Sequence, residues 1–245
     1  MSEGRMKRRT HGAWWQNLPL LFTIHCSLLT VSCTQDAYDK GEGKYSLMRG
    51  DFVEAHANAQ KQIDFFLTDE GDRFTMKNTV SPKWVTKADS TYRCILYYNK
   101  VEEEPGKILA EAISIGQVPC PRIIPLAEFG KEMKTDPVRF ESAWVSKSAK
   151  YLNLSLYVMT GTTDDEEASQ KLSVVRDTLM TNPDNTCACH LRLFHDQGGI
   201  PEYYSTQVYV SICLDSINAD SVIMNINTYK GEVSKSFKIE NRIGK

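Results

Sequence analysis

Residues 151–158 read YLNLSLYV, and the alternation in that stretch decides the fold class. Leu152, Leu154, Leu156 and Val158 fall on one side of an extended chain, and Tyr151, Asn153, Ser155 and Tyr157 fall on the other. A strict period of two is a strand in a sheet with one buried face. Residues 206–214, TQVYVSICL, repeat the device, with Val208, Val210, Ile212 and Leu214 opposite Tyr209, Ser211 and Cys213. Around these two lie FESAWVS (140–146), KLSVVRDTL (171–179), CACHLRLF (187–194), SVIMNINTY (221–229) and SFKI (236–239). About seven strands in about 105 residues is the density of a β-sandwich, expected here over residues 138–245.

Upstream the same reading gives GDFVEAHA (50–57), QIDFFLTD (62–69), RFTMK (73–77), STYRCILYY (90–98) and KILAEAISI (107–115) as strands. Turn chemistry at Asp69-Glu70-Gly71-Asp72 and Glu104-Pro105-Gly106 separates some of them. About five short strands in so small a segment predict a small barrel over residues 44–118. Pro119, Pro121, Pro125 and Pro137 break any strand period, so residues 119–137 read as a connector. Ala127–Met133, AEFGKEM, is the single stretch expected to be helical. The fold class expected is therefore all-β: a small five-stranded barrel followed by a β-sandwich.

The amino end has a different character. Arg5, Lys7, Arg8 and Arg9 precede an apolar run from Leu18 to Val31, the order of a charged region, a short hydrophobic region and a cleavage site. The run is shorter than the ~20 residues a membrane-spanning helix requires, so residues 1–32 read as a signal peptide. Met6, followed by KRR, offers a second start. Leu29-Thr30-Val31-Ser32-Cys33 resembles a lipobox, although Thr30 stands where a leucine is usual. The resemblance implies cleavage before Cys33, diacylation of its thiol and a stable membrane anchor, since two or more chains hold a protein durably. Residues 33–43 then form a tether. Within it Thr34-Gln35-Asp36-Ala37-Tyr38-Asp39 is similar to the acidic surface-export signal of lipoproteins in anaerobic Gram-negative bacteria. The expected location is the outer membrane, lipid-anchored, facing either the surface or the periplasm.

Losing residues 1–32 removes four bases and one acid from a chain of net charge −2 and leaves the remainder more acidic. An acidic body is a poor partner for nucleic acid, whose phosphates need a basic surface. Of the cysteines, Cys26 leaves with the leader and Cys33 carries lipid, so Cys94, Cys120, Cys187, Cys189 and Cys213 remain. An odd number leaves at least one thiol free in an oxidising compartment, and most are expected to be buried as small apolar side chains.

Cys187-Ala-Cys189-His190 followed by His195 brings thiols and imidazoles together, as a zinc site does. Strand geometry argues for a core strand instead: Cys187, Cys189, Leu191, Leu193 and His195 share one face, with His190, Arg192 and Phe194 on the other. Asp164-Asp165-Glu166-Glu167 lacks the spacing and turn glycine of a calcium loop and reads as a solvated hairpin tip. No nucleophile elbow, phosphate loop, dinucleotide fingerprint or zincin helix occurs in the sequence. No catalytic residue, metal or cofactor is expected. The remaining candidates are aromatic rings able to stack on a sugar or peptide, namely Trp84, Tyr97, Tyr98, Trp144, Tyr203 and Tyr204. Tyr97 and Tyr98 are adjacent, so one of the two rings faces the core.

With these parts assembled the chain resembles the NigD-like lipoproteins. The resemblance rests on Glu70-Gly71-Asp72-Arg73-Phe74, Ser142-Ala143-Trp144-Val145, Tyr151-Leu152-Asn153-Leu154, Leu191-Arg192-Leu193-Phe194-His195-Asp196 and Val208-Tyr209-Val210-Ser211-Ile212. Cys213 departs from it, a proline being commoner there. The resemblance implies an OB-like amino-terminal barrel before a carboxy-terminal β-sandwich, on an envelope lipoprotein of no established biochemical activity. The family is named for a gene of a bacteriocin operon. The function this implies is a non-catalytic binding or accessory role, linked to bacteriocin production or immunity. Its partners would be the membrane, through Cys33, and an envelope protein, peptide or glycan. A fimbrial or surface-assembly subunit and a glycan-binding lipoprotein are the alternatives.

Overall fold

A computed structural model describes Gly43 and residues 45–239. The expected signal peptide, Cys33 and, apart from Gly43, the expected tether lie outside the described residues. Every element below belongs to the compact unit Leu47–Lys245.

Five strands close the first layer: β1 (Arg49–Ala57), β2 (Ile63–Thr68), β3 (Arg73–Val80), β4 (Ser90–Glu104) and β5 (Lys107–Gln117). They form a closed barrel in the order β1-β2-β3-β5-β4, with β4 returning to β1. All neighbours are antiparallel except β3 and β5, which pair in parallel at Met76 and Ala110. This five-stranded closure is the OB-like barrel that the resemblance implied. The inward positions mix small and large residues. Ala55, Ala57 and Ala110 leave room for Phe66 and Tyr98, and all five are fully buried. The Phe66 and Tyr98 rings meet edge to face at 5.1 Å, with Phe74 5.6 Å from Phe66. Val85, in the β3–β4 connection, joins this core, and Trp84 packs against it.

The second layer pair is a sandwich. One sheet has the order β13-β12-β10-β9-β6 and the other β11-β8-β7. Its strands are β6 (Ile123–Pro125), β7 (Arg139–Val145), β8 (Tyr151–Thr160), β9 (Lys171–Thr181), β10 (Cys187–Asp196), β11 (Tyr204–Cys213), β12 (Ser221–Thr228) and β13 (Gly231–Lys238). Leu152, Leu154 and Leu156 of β8 face Val174, Leu191, Val222 and Met224 across one apolar core. This is the pairing of alternating faces that the YLNLSLYV stretch predicted.

Three expectations are corrected. The connector expected over 119–137 contains β6, which pairs in parallel with β9 from Ile123↔Val174 to Pro125↔Arg176; prolines are tolerated there because β6 is a sheet edge. The helix expected over Ala127–Met133 is only Leu126–Phe129 (α1), stopped by Gly130 at φ +63°. Phe129 of that turn lies 5.0 Å from Phe194, which explains why a ring on the outer face of β10 is buried. Finally, Asp164–Glu167 do not tip a hairpin, because β8 and β9 belong to different sheets. The run is an exposed crossover, organised locally by Thr163 Oγ1 accepting from the Asp165 amide and Asp165 Oδ1 from the Glu167 amide.

Candidate functional site

The polar side of β8 is not solvated. Six consecutive residues, Tyr151 through Leu156, are buried, so both faces of this strand are covered. The apolar face meets the sandwich core, and the polar face meets the outside of the barrel.

The barrel contributes β1 and β4 to this junction. Their register sets Glu54 opposite Arg93, Phe52 opposite Ile95 and Gly50 opposite Tyr97. Since Val53, Ala55, Cys94 and Leu96 point inward, this alternate set points outward toward the sandwich. Arg93 is the centre. Its Nη1 and Nη2 donate to the two carboxylate oxygens of Asp69 at 2.6 and 2.7 Å. Its Nε donates to Ser211 Oγ at 3.0 Å, and Nη2 also donates to Asn153 Oδ1 at 3.0 Å. Asn153 Nδ2 donates back to Asp69 Oδ2 at 3.1 Å, and Ser211 Oγ–H donates to Asn153 Oδ1 at 2.7 Å. The guanidinium also lies 4.0 Å over the Tyr151 ring, a favourable cation–π placement. Asn153 and Ser211 are wholly buried, and the Arg93 side chain is only 3% exposed. A buried bidentate pair in which all three guanidinium nitrogens donate offsets its desolvation far better than a lone contact does.

Beside it stands a second contact. The Tyr151 hydroxyl donates to Glu54 Oε1 at 2.7 Å, and Lys150 Nζ pairs with the same oxygen. Burial works to raise the Glu54 pKa, but the hydrogen bonds from Lys150 and Tyr151 and the charges of Lys150 and Arg93 outweigh it and hold the carboxyl below its ordinary value. Burial, and then the bond to Glu54, push the Tyr151 phenol well above its ordinary value. At the rim, Lys147 Nζ donates to Glu70 at 2.7 Å in solvent.

Between the layers a cleft of about 250 Å³ opens, lined by Gly50–Phe52, Thr68–Glu70 and Trp144–Lys147. Its apolar wall is Phe52, whose ring meets Trp144 and Tyr209 edge to face, each at 5.4 Å. Its polar wall carries Asp51, Asp69 and Glu70. The Tyr97 ring lies over Gly50, so close that a β-carbon there would stand 2.8 Å from it. The hydroxyls of the cleft are committed: Ser146 Oγ accepts from the Tyr151 amide at 3.0 Å, and Thr68 Oγ1 from the Asp72 amide at 3.2 Å. None of the described histidines lines it. His56 pairs with Asp64 at 3.0 Å, and His195 is buried in the sandwich with Nδ1 against Asp136 O at 2.9 Å. The cleft therefore offers stacking surface and hydrogen-bond acceptors, the chemistry of recognition.

Of the aromatic candidates, the structure brings Trp144 and Tyr97 to this junction. Tyr98 is corrected: its ring is fully buried in the barrel, and its hydroxyl donates to Asp51 Oδ2 at 2.8 Å. Trp84 packs on the barrel core and meets Tyr92 at 5.6 Å, so it is a structural ring. Tyr203 and Tyr204 are exposed at the start of β11, at 73% and 54%, and do not line the cleft. Arg93, Asp69, Asn153 and Ser211 were not singled out by the sequence reading. One signal was available: the polar face of β8 and β11 carries Asn153, Ser155 and Ser211 and no charge, which suits a covered surface better than a wet one. As strand geometry required, Cys189, Leu191 and Leu193 enter the core and His190 stays half-exposed on the other face.

Residues 122–240 match the family model of the NigD-like C-terminal beta sandwich domain. No match is found among curated proteins. Among solved structures, a NigD-like immunity protein from Bacteroides caccae superposes with a TM-score of 0.61 at 19% identity, covering 78% of this chain and 96% of that one. A protein of unknown function from Bacteroides vulgatus gives 0.60 at 16% identity, covering 80% and 92%. A protein described as a lipoprotein, from Bacteroides fragilis, gives 0.57 at 12% identity, covering 80% and 99%. At these identities the likeness is one of fold, and it spans barrel and sandwich together. The carboxy-terminal domain of this chain, residues 122–240, is thus a NigD-like beta sandwich.

Proposed function

We propose that this protein is a non-catalytic lipoprotein of the outer membrane, anchored through Cys33, whose barrel and sandwich form one binding body with its recognition cleft at their junction. The observation that carries the reading is the buried Arg93–Asp69–Asn153–Ser211 network. It fixes the two layers to each other and so preorganises the Phe52–Trp144 wall beside it, which lowers the entropic cost of binding. The aromatic and acidic lining suits a peptide or protein segment carrying apolar and basic side chains. The lipobox at Cys33 and the fold shared with a protein described as a lipoprotein support the anchoring. The fold shared with a NigD-like immunity protein supports a part in self-protection against a bacteriocin.

Two measurements test this. Cys33→Ala should move the protein from the membrane fraction to the soluble one, and retention on the membrane ends the anchoring claim. A strain lacking the gene should gain sensitivity to bacteriocins of related strains, and Trp144→Ala should fail to restore protection while accumulating normally. Unchanged sensitivity of the deletion strain removes the protective role. A second reading, glycan binding, rests on the exposed pair Tyr203 and Tyr204; retention on a glycan array that is lost in the Tyr203→Ala variant would favour it.

A further inference from the structure

The cysteines outside the leader and anchor divide by location. Cys94 belongs to the barrel core and Cys189 to the sandwich core, each a buried free thiol. Cys187 opens β10, with Thr181 Oγ1 3.8 Å from its sulfur. Cys120 and Cys213 differ from these, because two chain segments are brought side by side just where they stand. The Ser211 amide of β11 donates to the Pro119 carbonyl at 3.0 Å, which lays the residues leaving the barrel along the end of β11. Burial, and then the charge of the neighbouring Cys213, push the Cys120 thiol up, while the Cys213 backbone N–H beside its sulfur works the other way. Tyr151, paired with Cys213 in the sheet, senses both thiols as well. Chain segments joined by a backbone hydrogen bond run roughly 5 Å apart, within the ~4.4–6.8 Å between α-carbons that a disulfide spans. Cys120 is exposed and Cys213 half-buried, so an oxidant reaches the first and the second can follow.

We propose that Cys120 and Cys213 form a disulfide that staples the chain leaving the barrel to the edge of the sandwich, beside the Tyr151–Glu54 contact of the junction. The bond closes by exchange. The Cys120 thiolate attacks a disulfide of glutathione or of an envelope thiol oxidase, forming a mixed disulfide and releasing one thiol. The Cys213 thiolate, after turning from its present bonds to Asp215, attacks the Cys120 sulfur and releases the second thiol. Two protons leave the pair, the protein loses two electrons, and the oxidant's disulfide becomes two thiols. Formation in the cell rests on the envelope location proposed above; the fitness of the pair to close does not.

The experiment uses the full-length protein purified from whichever fraction holds it. Reduced protein is incubated with oxidised glutathione and mapped by peptide mass spectrometry. The expected product is a Cys120–Cys213 linked peptide about 2 Da below the sum of its parts, absent in Cys213→Ser, where Cys120 instead carries glutathione. Reduction should lower the thermal midpoint by about 10 °C in the natural chain and leave Cys120→Ser unaffected. Folded protein in which Cys120 and Cys213 take up glutathione separately, or stay unreacted, overturns the proposal. Alkylation in intact cells separates the two claims: a linked pair supports both, whereas free thiols in cells beside closure in vitro keep the pair and sink the oxidising location.

Discussion

The barrel interior and the Arg93 network of the barrel–sandwich junction are both withdrawn from water, by opposite means. The interior is filled by Val53, Ala55, Phe66, Leu96 and their neighbours, whose attraction is proportional to area and indifferent to direction. The junction is filled by one guanidinium, one carboxylate, an amide and a hydroxyl at 2.6–3.1 Å. β1 belongs to both, with Val53 and Ala55 in the first and Phe52 and Glu54 at the second. Apolar packing makes each layer fold, whereas the directional network decides how one layer is set on the other.

That contrast is broken most severely at Arg93. Arg93→Ala strands the Asp69 carboxylate and leaves Asn153 and Ser211 without their charged partner; the expected loss by chemical denaturation is about 3–5 kcal/mol. Arg93→Met combined with Asp69→Leu should recover most of it, because an apolar pair leaves no uncompensated charge. If the single and double variants lose equally, the junction is held by packing after all. Leu96→Ala, in the barrel interior, should cost about 3 kcal/mol, unchanged by salt or by a second substitution at Asp69, because the two sites share no partner.

The interior was legible in the sequence and the junction was not, for one physical reason. Alternation records which face of a strand is apolar, and all five barrel strands and the sandwich strands from 139 onward follow from it. It says nothing about what covers the polar face. Asn153, Ser155 and Ser211 satisfy the same pattern whether water or Arg93 meets them, and Arg93 stands about 60 residues from Asn153 and about 118 from Ser211. β6 escaped for a related reason: a three-residue edge strand flanked by prolines has too little sequence to show a period. Trp144 could be singled out as a ring, but its partner Phe52 looked like any strand residue until the layers met.

A smaller effect sharpens the comparison through pH. Glu54 has its pKa held below the ordinary 4.5 by Lys150 and Tyr151, against its burial, so the unfolded chain binds its proton first as the solution is acidified. The stability this contributes is present above pH 4.5 and is lost as pH falls through the lower folded value. Tyr151→Phe should remove part of it, about 1 kcal/mol near neutral pH, and Glu54→Gln should flatten that limb of the stability–pH curve. Leu96→Ala should shift the whole curve down without changing its slope, since no ionisable group of the junction touches that side chain. A Tyr151→Phe curve parallel to the natural one would mean that Glu54 is held by Lys150 and the Arg93 charge without the phenol.

The smallest effect is expected at Lys147. It reaches from the sandwich to Glu70 on the barrel at 2.7 Å, which in a diagram looks like another bolt between the layers. Both side chains are more than half exposed, so water competes for each charge, salt screens the pair, and two long side chains lose rotamer freedom to meet. The bond lowers the Glu70 pKa and raises that of Lys147, yet neither group is withdrawn from solvent. Lys147→Ala should therefore leave the denaturation midpoint where it was. Arg93 reaches the sandwich by buried hydrogen bonds to Asn153 and Ser211, whereas Lys147 reaches the barrel by one exposed ion pair, and the difference in burial dominates their effects. A substantial loss in Lys147→Ala would show that the rim, rather than the buried network, sets the angle between barrel and sandwich.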